Sequence, residues 1–240
     1  MISTSLAWAL GIAAAGGVVR GVTGFGGAMV MTPALSLILG PLHAVMSVLM
    51  LEAFAAAPML PGAARIANWR TLMPICAAAC FTVPFGGYLL VTAEPNLLRR
   101  CIAATVIAFS LLLLTGFRYR GGKRLGASVA AGGISGALLG ATGIGGPPVI
   151  LYLMSSPDPV NATRANLTLY VTFISVVALG MLWARGFLGA DSGLTALMLA
   201  LPFYGGVWLG ERLFGRISEP MFRRWTLIFL VVISGVILVV

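Results

Sequence analysis

The sequence predicts an all-α integral membrane protein built from two inverted repeats, each with a glycine-broken, re-entrant or discontinuous helical segment plus three transmembrane helices. The prediction rests on the composition, on the length of the apolar stretches and on a motif that occurs twice. The 240 residues are 60% hydrophobic and 9% charged, with a mean hydropathy of +1.04. A soluble domain carries about a quarter charged residues. Such a chain needs lipid as its solvent, which excludes a soluble chaperone-like role.

The net charge is strongly positive, at +9 from 15 Lys/Arg and 6 Asp/Glu. The basic residues lie in short clusters between apolar runs, such as Arg118, Arg120, Lys123 and Arg124. This placement is typical of cytoplasmic loops under the positive-inside rule and not of a nucleic-acid-binding surface. No nucleic-acid partner is therefore expected.

The three cysteines, Cys76, Cys80 and Cys101, all lie in apolar runs. They predict neither a disulfide framework nor a metal site, and small packing residues are the simpler interpretation. No cofactor is expected. The N-terminus lacks a basic n-region and a convincing cleavage signal, so the first apolar stretch is expected to be mature structure.

Eight apolar stretches follow one another along the chain, and a helical span needs about 20 such residues. They lie near residues 4–39, 41–61, 71–91, 97–117, 125–155, 164–184, 192–210 and 221–240. Two of them, 4–39 and 125–155, are too long for one span. Both are interrupted in the middle by glycines.

The two interruptions are copies of one motif. Gly21–Val30 and Gly140–Val149 are identical at six of ten positions with a constant offset of 119 residues. Pro84–Gly87 is echoed by Pro202–Gly205 at an offset of 118, and a pair of arginines precedes the last span of each half, Arg99–Arg100 and Arg223–Arg224. These echoes predict an internal repeat, with residues 1–120 as one half and 121–240 as the other.

Charge counting indicates how the halves are oriented. If stretch 125–155 crosses the membrane once, the loops on the two sides carry seven basic residues each. If that stretch turns at its glycines and returns, loops 62–70, 118–124, 156–164 and 211–224 share one side with eleven basic residues, against three on the other. The second arrangement satisfies the positive-inside rule. It predicts an inverted repeat with both termini outside the cytoplasm.

The glycine motifs have the chemistry of an anion site. A helix that restarts after a break has first-turn N–H groups without partners in that helix, and these donors together with the helix dipole attract anions. Broken segments at matching positions of two halves are typical of a transporter's central site. The predicted substrate-binding residues are Thr23, Gly24, Gly26 and Gly27 in the first copy, and Thr142, Gly143, Gly145 and Gly146 in the second. Close helix packing through small residues is the alternative.

Two charged residues lie inside apolar stretches, where a charge is costly and usually functional. Arg20 precedes the first motif and could offer a planar, bidentate guanidinium to an oxyanion or reach the interface. The matching residue of the second half is Leu139. Glu52 is the coupling candidate, because it could carry a proton, but it could equally neutralise an arginine.

Three further polar residues lie near one apolar stretch. Asn166 and Tyr170, at i and i+4, could line the same cavity or hydrogen-bond between helices. Arg164 is either a loop charge or a cavity charge, and the sequence does not decide between them.

The motifs resemble those of the sulfite exporter TauE/SafE family of membrane permeases. The residues that carry the resemblance are Gly21–Pro33 and Gly140–Tyr152, supported by Pro84–Gly87 and Pro202–Gly205. The resemblance covers essentially the whole chain. It implies transport of sulfite, sulfonates or related small anions across a bacterial inner membrane, by a multi-pass protein that forms a homodimer.

The function predicted from the sequence is therefore secondary transport of a small anion by alternating access. An uncoupled anion channel is one alternative, since it would use the same donors. A membrane-embedded enzyme is a weaker one. The sequence offers no metal-binding His/Glu motif and one histidine in all, and no catalytic or metal-binding residues are predicted.

Overall fold

The computed structural model describes residues 2–24, 26–55, 57, 60–116, 124–154, 159–213 and 219–239, and this part of the chain is helical without strands. The helices are α1 (Ile2–Thr23), α2 (Gly27–Leu39), α3 (Pro41–Ala55), α4 (Leu60–Ile66), α5 (Trp69–Thr92), α6 (Pro95–Leu114), α7 (Leu125–Thr142), α8 (Gly146–Leu153), α9 (Val160–Ala184), α10 (Ala190–Leu213) and α11 (Glu219–Val239). The all-helical prediction is confirmed.

Both overlong stretches are broken at their glycines. The first break separates α1 from α2, and the second separates α7 from α8. Each preceding helix ends on a glycine with positive φ, 77° at Gly24 and 71° at Gly143. The N–H of Gly24 donates to the Arg20 carbonyl, and that of Gly143 to the Leu139 carbonyl, each at 2.8 Å. A left-handed terminal residue of this kind strongly favours glycine.

Six described helices are long and apolar enough to cross a membrane: α1, α5, α6, α7, α9 and α10. The short helices after the breaks are not, because 13 residues of α2 and 8 of α8 extend only about 20 Å and 12 Å against a hydrocarbon core of about 30 Å. Most residues of both short helices are buried in protein. This cover satisfies the condition under which broken backbone is tolerated at membrane depth.

The predicted stretch 41–61 is less regular than a single straight span. α3 ends at Ala55, and α4 starts at Leu60 in a direction 72° away. Pro61 lies in the first turn of α4, where its missing N–H is tolerated. If α3 and α4 count as one bent span, the number of candidate spans rises to seven.

The long helices pair across the two predicted halves. α1 packs along α10, and α5 packs along α7. Both contacts are lined by glycines whose missing side chains let the backbones touch: Gly17 and Gly21 of α1 and Gly206 and Gly210 of α10 in the first pair, and Gly132, Gly136 and Gly140 of α7 with Gly86 of α5 in the second. Small residues at such positions drive helix association in lipid.

The protein interior lies around α3 and α9, which contact each other and receive the two short helices. The outer helices expose large apolar side chains instead, among them Phe81, Leu201 and Trp225. An apolar surface of this extent is typical of contact with lipid.

Candidate functional site

The two glycine breaks meet at one small space. This central cavity has a volume of about 20 Å³. Arg20, Gly26 and Glu52 line it from the first half of the chain, and Gly143, Gly145 and Gly146 from the second. Six residues predicted from the sequence are thus brought together in three dimensions.

The lining of the central cavity repeats with the offset of the sequence motif. Four pairs of lining residues lie 119 positions apart: Arg20 and Leu139, Gly26 and Gly145, Ala28 and Pro147, and Glu52 and Val171. Two of these pairs replace a charged residue of the first half by an apolar residue of the second. The lining residues therefore match in sequence position but differ in charge.

Arg20 and Glu52 form a buried ion pair at this cavity. The distance between Arg20 Nε and Glu52 Oε2 is 2.9 Å, and the side chains are 6% and 4% exposed. Arg20 also donates from Nη1 to the Gly24 carbonyl in the break. Glu52 thus neutralises an arginine, one of the two roles that the sequence left open for it.

Glu52 also lies against the start of α2. Its Oε1 is 2.8 Å from the position that a Cβ on Gly27 would take. Gly27 is the first residue of α2, where the positive end of the helix dipole favours a negative group. The carboxylate therefore occupies the place at which an anion would bind.

A larger cavity, the vestibule, adjoins the central one. Its volume is about 350 Å³, and its lining includes Arg20, Gly24, Arg164, Thr168 and Glu211. Arg164 Nη2 donates to the Gly21 carbonyl at 3.5 Å, so Arg164 is a cavity residue. Because Arg20 lines both cavities, its ion pair stands between them.

Backbone donors are distributed unequally between the breaks. The first turn of α2, Gly27-Ala28-Met29, has an N–H on every residue, whereas α8 begins Gly146-Pro147-Pro148, and proline has no N–H. At the second break the N–H of Ile144 already donates to the Thr142 hydroxyl at 3.3 Å. The first break is therefore the better anion-binding terminus.

Comparison with known protein families identifies the chain. The model of the family described as "Sulfite exporter TauE/SafE" matches residues 9–237. The chain belongs to the TauE/SafE sulfite exporter family. Searches of curated proteins and of solved structures give no match. TauE/SafE proteins are membrane transporters, which agrees with the apolar helices and the multi-pass architecture.

Two threonines of this TauE/SafE chain, predicted as donors, direct their hydroxyls into their own helices. Thr23 donates to the Val19 carbonyl at 2.8 Å, and Thr142 to the Leu138 carbonyl at 2.7 Å. Thr23 lines a separate small cavity beside α11. Thr142 holds the second break through its contact with Ile144, which makes it a residue that shapes the site.

Tyr170 lies one layer behind the central cavity of the TauE/SafE site. It is fully buried, and its hydroxyl donates to Ser135 Oγ at 2.7 Å. Ser135 in turn donates to the Gly145 carbonyl. A chain of hydrogen bonds thus fixes the second break to α9 through Tyr170.

Asn166, one turn before Tyr170, connects two helices. Its side-chain oxygen accepts a hydrogen bond from the Asn68 N–H at 2.9 Å, just before α5 begins. This bond joins α9 to the start of α5, which is the alternative to a cavity role for Asn166. Asn166 itself is buried.

Sequence reasoning missed three residues at the TauE/SafE site. Ser135 supports the second break, Ser175 lines the central cavity, and Glu211 lines the vestibule. Ser135 lies ten residues before Gly145, so nothing local marks its contact. Glu211 carried a signal, since it is one of only six acidic residues in the chain.

Proposed function

We propose that this TauE/SafE protein is a secondary transporter that moves sulfite, an organosulfonate or a related small anion across the bacterial inner membrane by alternating access. The observation that carries the proposal is the meeting of two glycine breaks and a buried arginine at one cavity, with a vestibule leading to it. The transported anion contacts Arg20 and the first turn of α2. The second break, held by Thr142, Ser135 and Tyr170, forms the opposite wall.

The chemistry of this site suits an anion with several oxygens on one centre. A guanidinium donates two parallel hydrogen bonds to such a group, and the N–H groups of a helix N-terminus supply further donors. Sulfite and the head group of a sulfonate both present three oxygens on sulfur. An organic substituent on the sulfur extends towards the vestibule, whose volume of about 350 Å³ exceeds that of the head group.

Two observations favour alternating access over an open channel. The central cavity, at about 20 Å³, has room for about one water molecule, whereas the vestibule measures about 350 Å³, so the path narrows sharply at the ion pair. The reciprocal pairing of α1 with α10 and α5 with α7 supports two repeats related by a two-fold axis, and such repeats can rock against each other about a fixed site.

The vestibule indicates which state is described. Ala63, Arg164 and Glu211 line it, and all three lie in segments that the charge count assigns to the basic side of the membrane. Basic loops remain cytoplasmic. We therefore assign the structure to a state open to the cytoplasm, from which an exporter loads its substrate.

The test is anion flux in proteoliposomes, with sulfite, methanesulfonate, sulfate and acetate supplied one at a time. Saturable flux of a sulfur oxyanion is expected, and Arg20→Leu, which copies Leu139, abolishes it. Arg185→Leu is the control, because Arg185 is an exposed arginine at the end of α9. Flux that rises linearly with concentration would indicate a channel, and recovery of a chemically altered anion would indicate an enzyme.

Homodimer formation stays a prediction of the family resemblance. Light scattering of the detergent-solubilised protein during size-exclusion chromatography measures the mass of the protein component. A mass of one 24.9 kDa chain would contradict it.

A further inference from the structure

We infer that Glu52 is a tethered competitor of the transported anion, and that it takes up one proton for each anion that displaces it from Arg20. The inference rests on the proposed function, because it requires an anion to enter the central cavity. It adds the coupling ion and the residue that carries it.

The geometry shows what Glu52 occupies. One carboxylate oxygen is 2.9 Å from Arg20 Nε, and the other lies beside the first residue of α2. These are the two groups that attract an anion at this site. A substrate cannot bind both while the carboxylate remains, so binding requires Glu52 to leave Arg20.

Charge balance then decides where a proton goes. With Arg20 and Glu52 paired, the site is neutral. An entering monoanion leaves one net negative charge in a buried space, where charge is poorly screened. The guanidinium is already protonated and does not release its proton. The excess negative charge is removed when the Glu52 carboxylate accepts a proton.

The cycle balances in atoms and charge. In the vestibule-open state, a proton from water bonds to a Glu52 carboxylate oxygen, the Arg20–Glu52 ion pair breaks, and the anion pairs with Arg20. After the site opens to the other side, the anion departs, Glu52 releases its proton to water, and the ion pair forms again. One anion and one proton cross together.

The neighbouring charges leave Glu52 as the buried acid of the site. Arg20 faces it from α1, and Tyr204 lies on α10, which packs against α3. The other ionisable side chains on the helices packed against α3 are those of Arg164 and Tyr170 on α9, Arg99, Arg100 and Cys101 on α6, Arg70, Cys76, Cys80 and Tyr88 on α5, and Asp191, Glu211 and Arg212 on α10. Arg99 donates to the Ser36 carbonyl of α2, and Arg164 and Glu211 line the vestibule. α2 itself has no titratable side chain, and His43 lies near the opposite end of α3.

The repeat sets the stoichiometry. At the positions that match Arg20 and Glu52, the second half has Leu139 and Val171, and both line the same cavity. The second half therefore contributes neither a competing carboxylate nor a second cation, which fits one proton for each anion.

The experiment measures anion and proton entry together. Proteoliposomes are loaded with a pH-sensitive dye at equal internal and external pH, the membrane potential is clamped with potassium and valinomycin, and an inward methanesulfonate gradient is imposed. Methanesulfonate is the first probe because it stays a monoanion across the working pH range. Sulfite is the second, with the signal of protein-free vesicles subtracted because sulfite itself moves protons.

The wild type is expected to acidify the lumen by one proton for each anion. Glu52→Gln, a neutral mimic of the protonated acid, is expected to carry the anion without acidification and with little dependence on pH, whereas Glu52→Asp retains coupling. Glu94→Gln is the control, since Glu94 is exposed at the start of α6.

Anion entry without acidification in the wild type would overturn the coupling alone, as would acidification by Glu52→Gln equal to that of the wild type. An inserted Glu52→Gln protein that carries no anion would also contradict it, because Arg20 is then free of its competitor. No flux of either anion in the wild type would refute the proposed function itself.

Discussion

Gly27 and Gly146 begin α2 and α8 at matching positions of the repeat, but only Gly27 faces a carboxylate. A Cβ at Gly27 would lie 2.8 Å from Glu52 Oε1, whereas a Cβ at Gly146 meets nothing described within 4 Å. Gly27→Ala should therefore fill the space beside the first turn of α2 in which the anion replaces Glu52, and lower anion flux about tenfold, the equivalent of ~1.4 kcal/mol. Gly146→Ala should remain within about twofold of the wild type. Equal effects of the two variants in the flux assay would contradict this asymmetry.

The buried ion pair allows function to be separated from stability. Removing one partner of such a pair costs about 3–5 kcal/mol, while replacing both by apolar residues is often neutral or stabilising. Arg20→Leu alone should lower the unfolding midpoint in detergent. The double variant Arg20→Leu with Glu52→Val, which copies Leu139 and Val171, should restore it.

The double variant should nevertheless transport nothing, since Arg20, the cation that pairs with the anion, is absent. Thermal unfolding and flux measured on the same preparation test the two halves of this prediction. Transport by the stable double variant would show that the ion pair is not part of the site.

Tyr170 should influence transport without touching the anion. Tyr170→Phe removes the hydrogen bond to Ser135, worth about 1 kcal/mol, and loosens the support of the Gly145 carbonyl. A several-fold rise in the half-saturating anion concentration, with a smaller change in maximal rate, is expected. Tyr88→Phe, at an exposed tyrosine of α5, is the matched control and should match the wild type.

The contact between α1 and α10 depends on glycine at one of two neighbouring positions. A side chain on Gly206 would meet the backbone of Ala14, Val18 and Gly17, whereas one on Gly205 meets nothing described within 4 Å. Gly206→Val should destabilise the protein by about 1–3 kcal/mol through overpacking. Gly205→Val should leave the unfolding midpoint unchanged. Comparable yields and midpoints for the two would argue against this helix pairing.

The orientation of the vestibule can be tested by thiol labelling. In a variant whose three native cysteines are replaced by alanine, Thr168→Cys should react with a membrane-impermeant maleimide only from the cytoplasmic side, and saturating substrate should protect it. Thr92→Cys, an exposed position at the far end of α5, should react from the opposite side. Labelling of both from one side would overturn the assigned topology.

The sequence predicted the parts of the site that have local signatures. Glycine clusters inside the two overlong apolar stretches predicted the positions of both breaks to within a residue or two. A break was expected because each stretch is too long for one helical span. Arg20 stood out because an isolated charge in an apolar run is costly. The pairing of Arg20 with Glu52 could not be predicted in the same way, because it depends on how α1 and α3 pack.

Other features depend on contacts between distant parts of the chain. Ser135 reaches Gly145 only because the chain turns back at the second break. No sequence pattern around Ser135 predicts this contact. The 72° change of direction between α3 and α4 could not be predicted from hydropathy, because residues 41–61 are predominantly apolar on both sides of the bend. Hydropathy measures solvent preference, which a bent and a straight helix share.

The exchange of helix partners between the halves has a consequence for biogenesis. α1 leaves the ribosome long before α10, which spans Ala190–Leu213 and carries the face that the α1 glycines contact. Pairing at such sequence separation forms slowly. Until α10 is synthesised, Gly17 and Gly21 present a bare backbone groove to lipid or to other proteins of the insertion machinery. The first 120 residues alone therefore cannot complete either long helix pair, and a truncated chain is expected to be recognised and degraded.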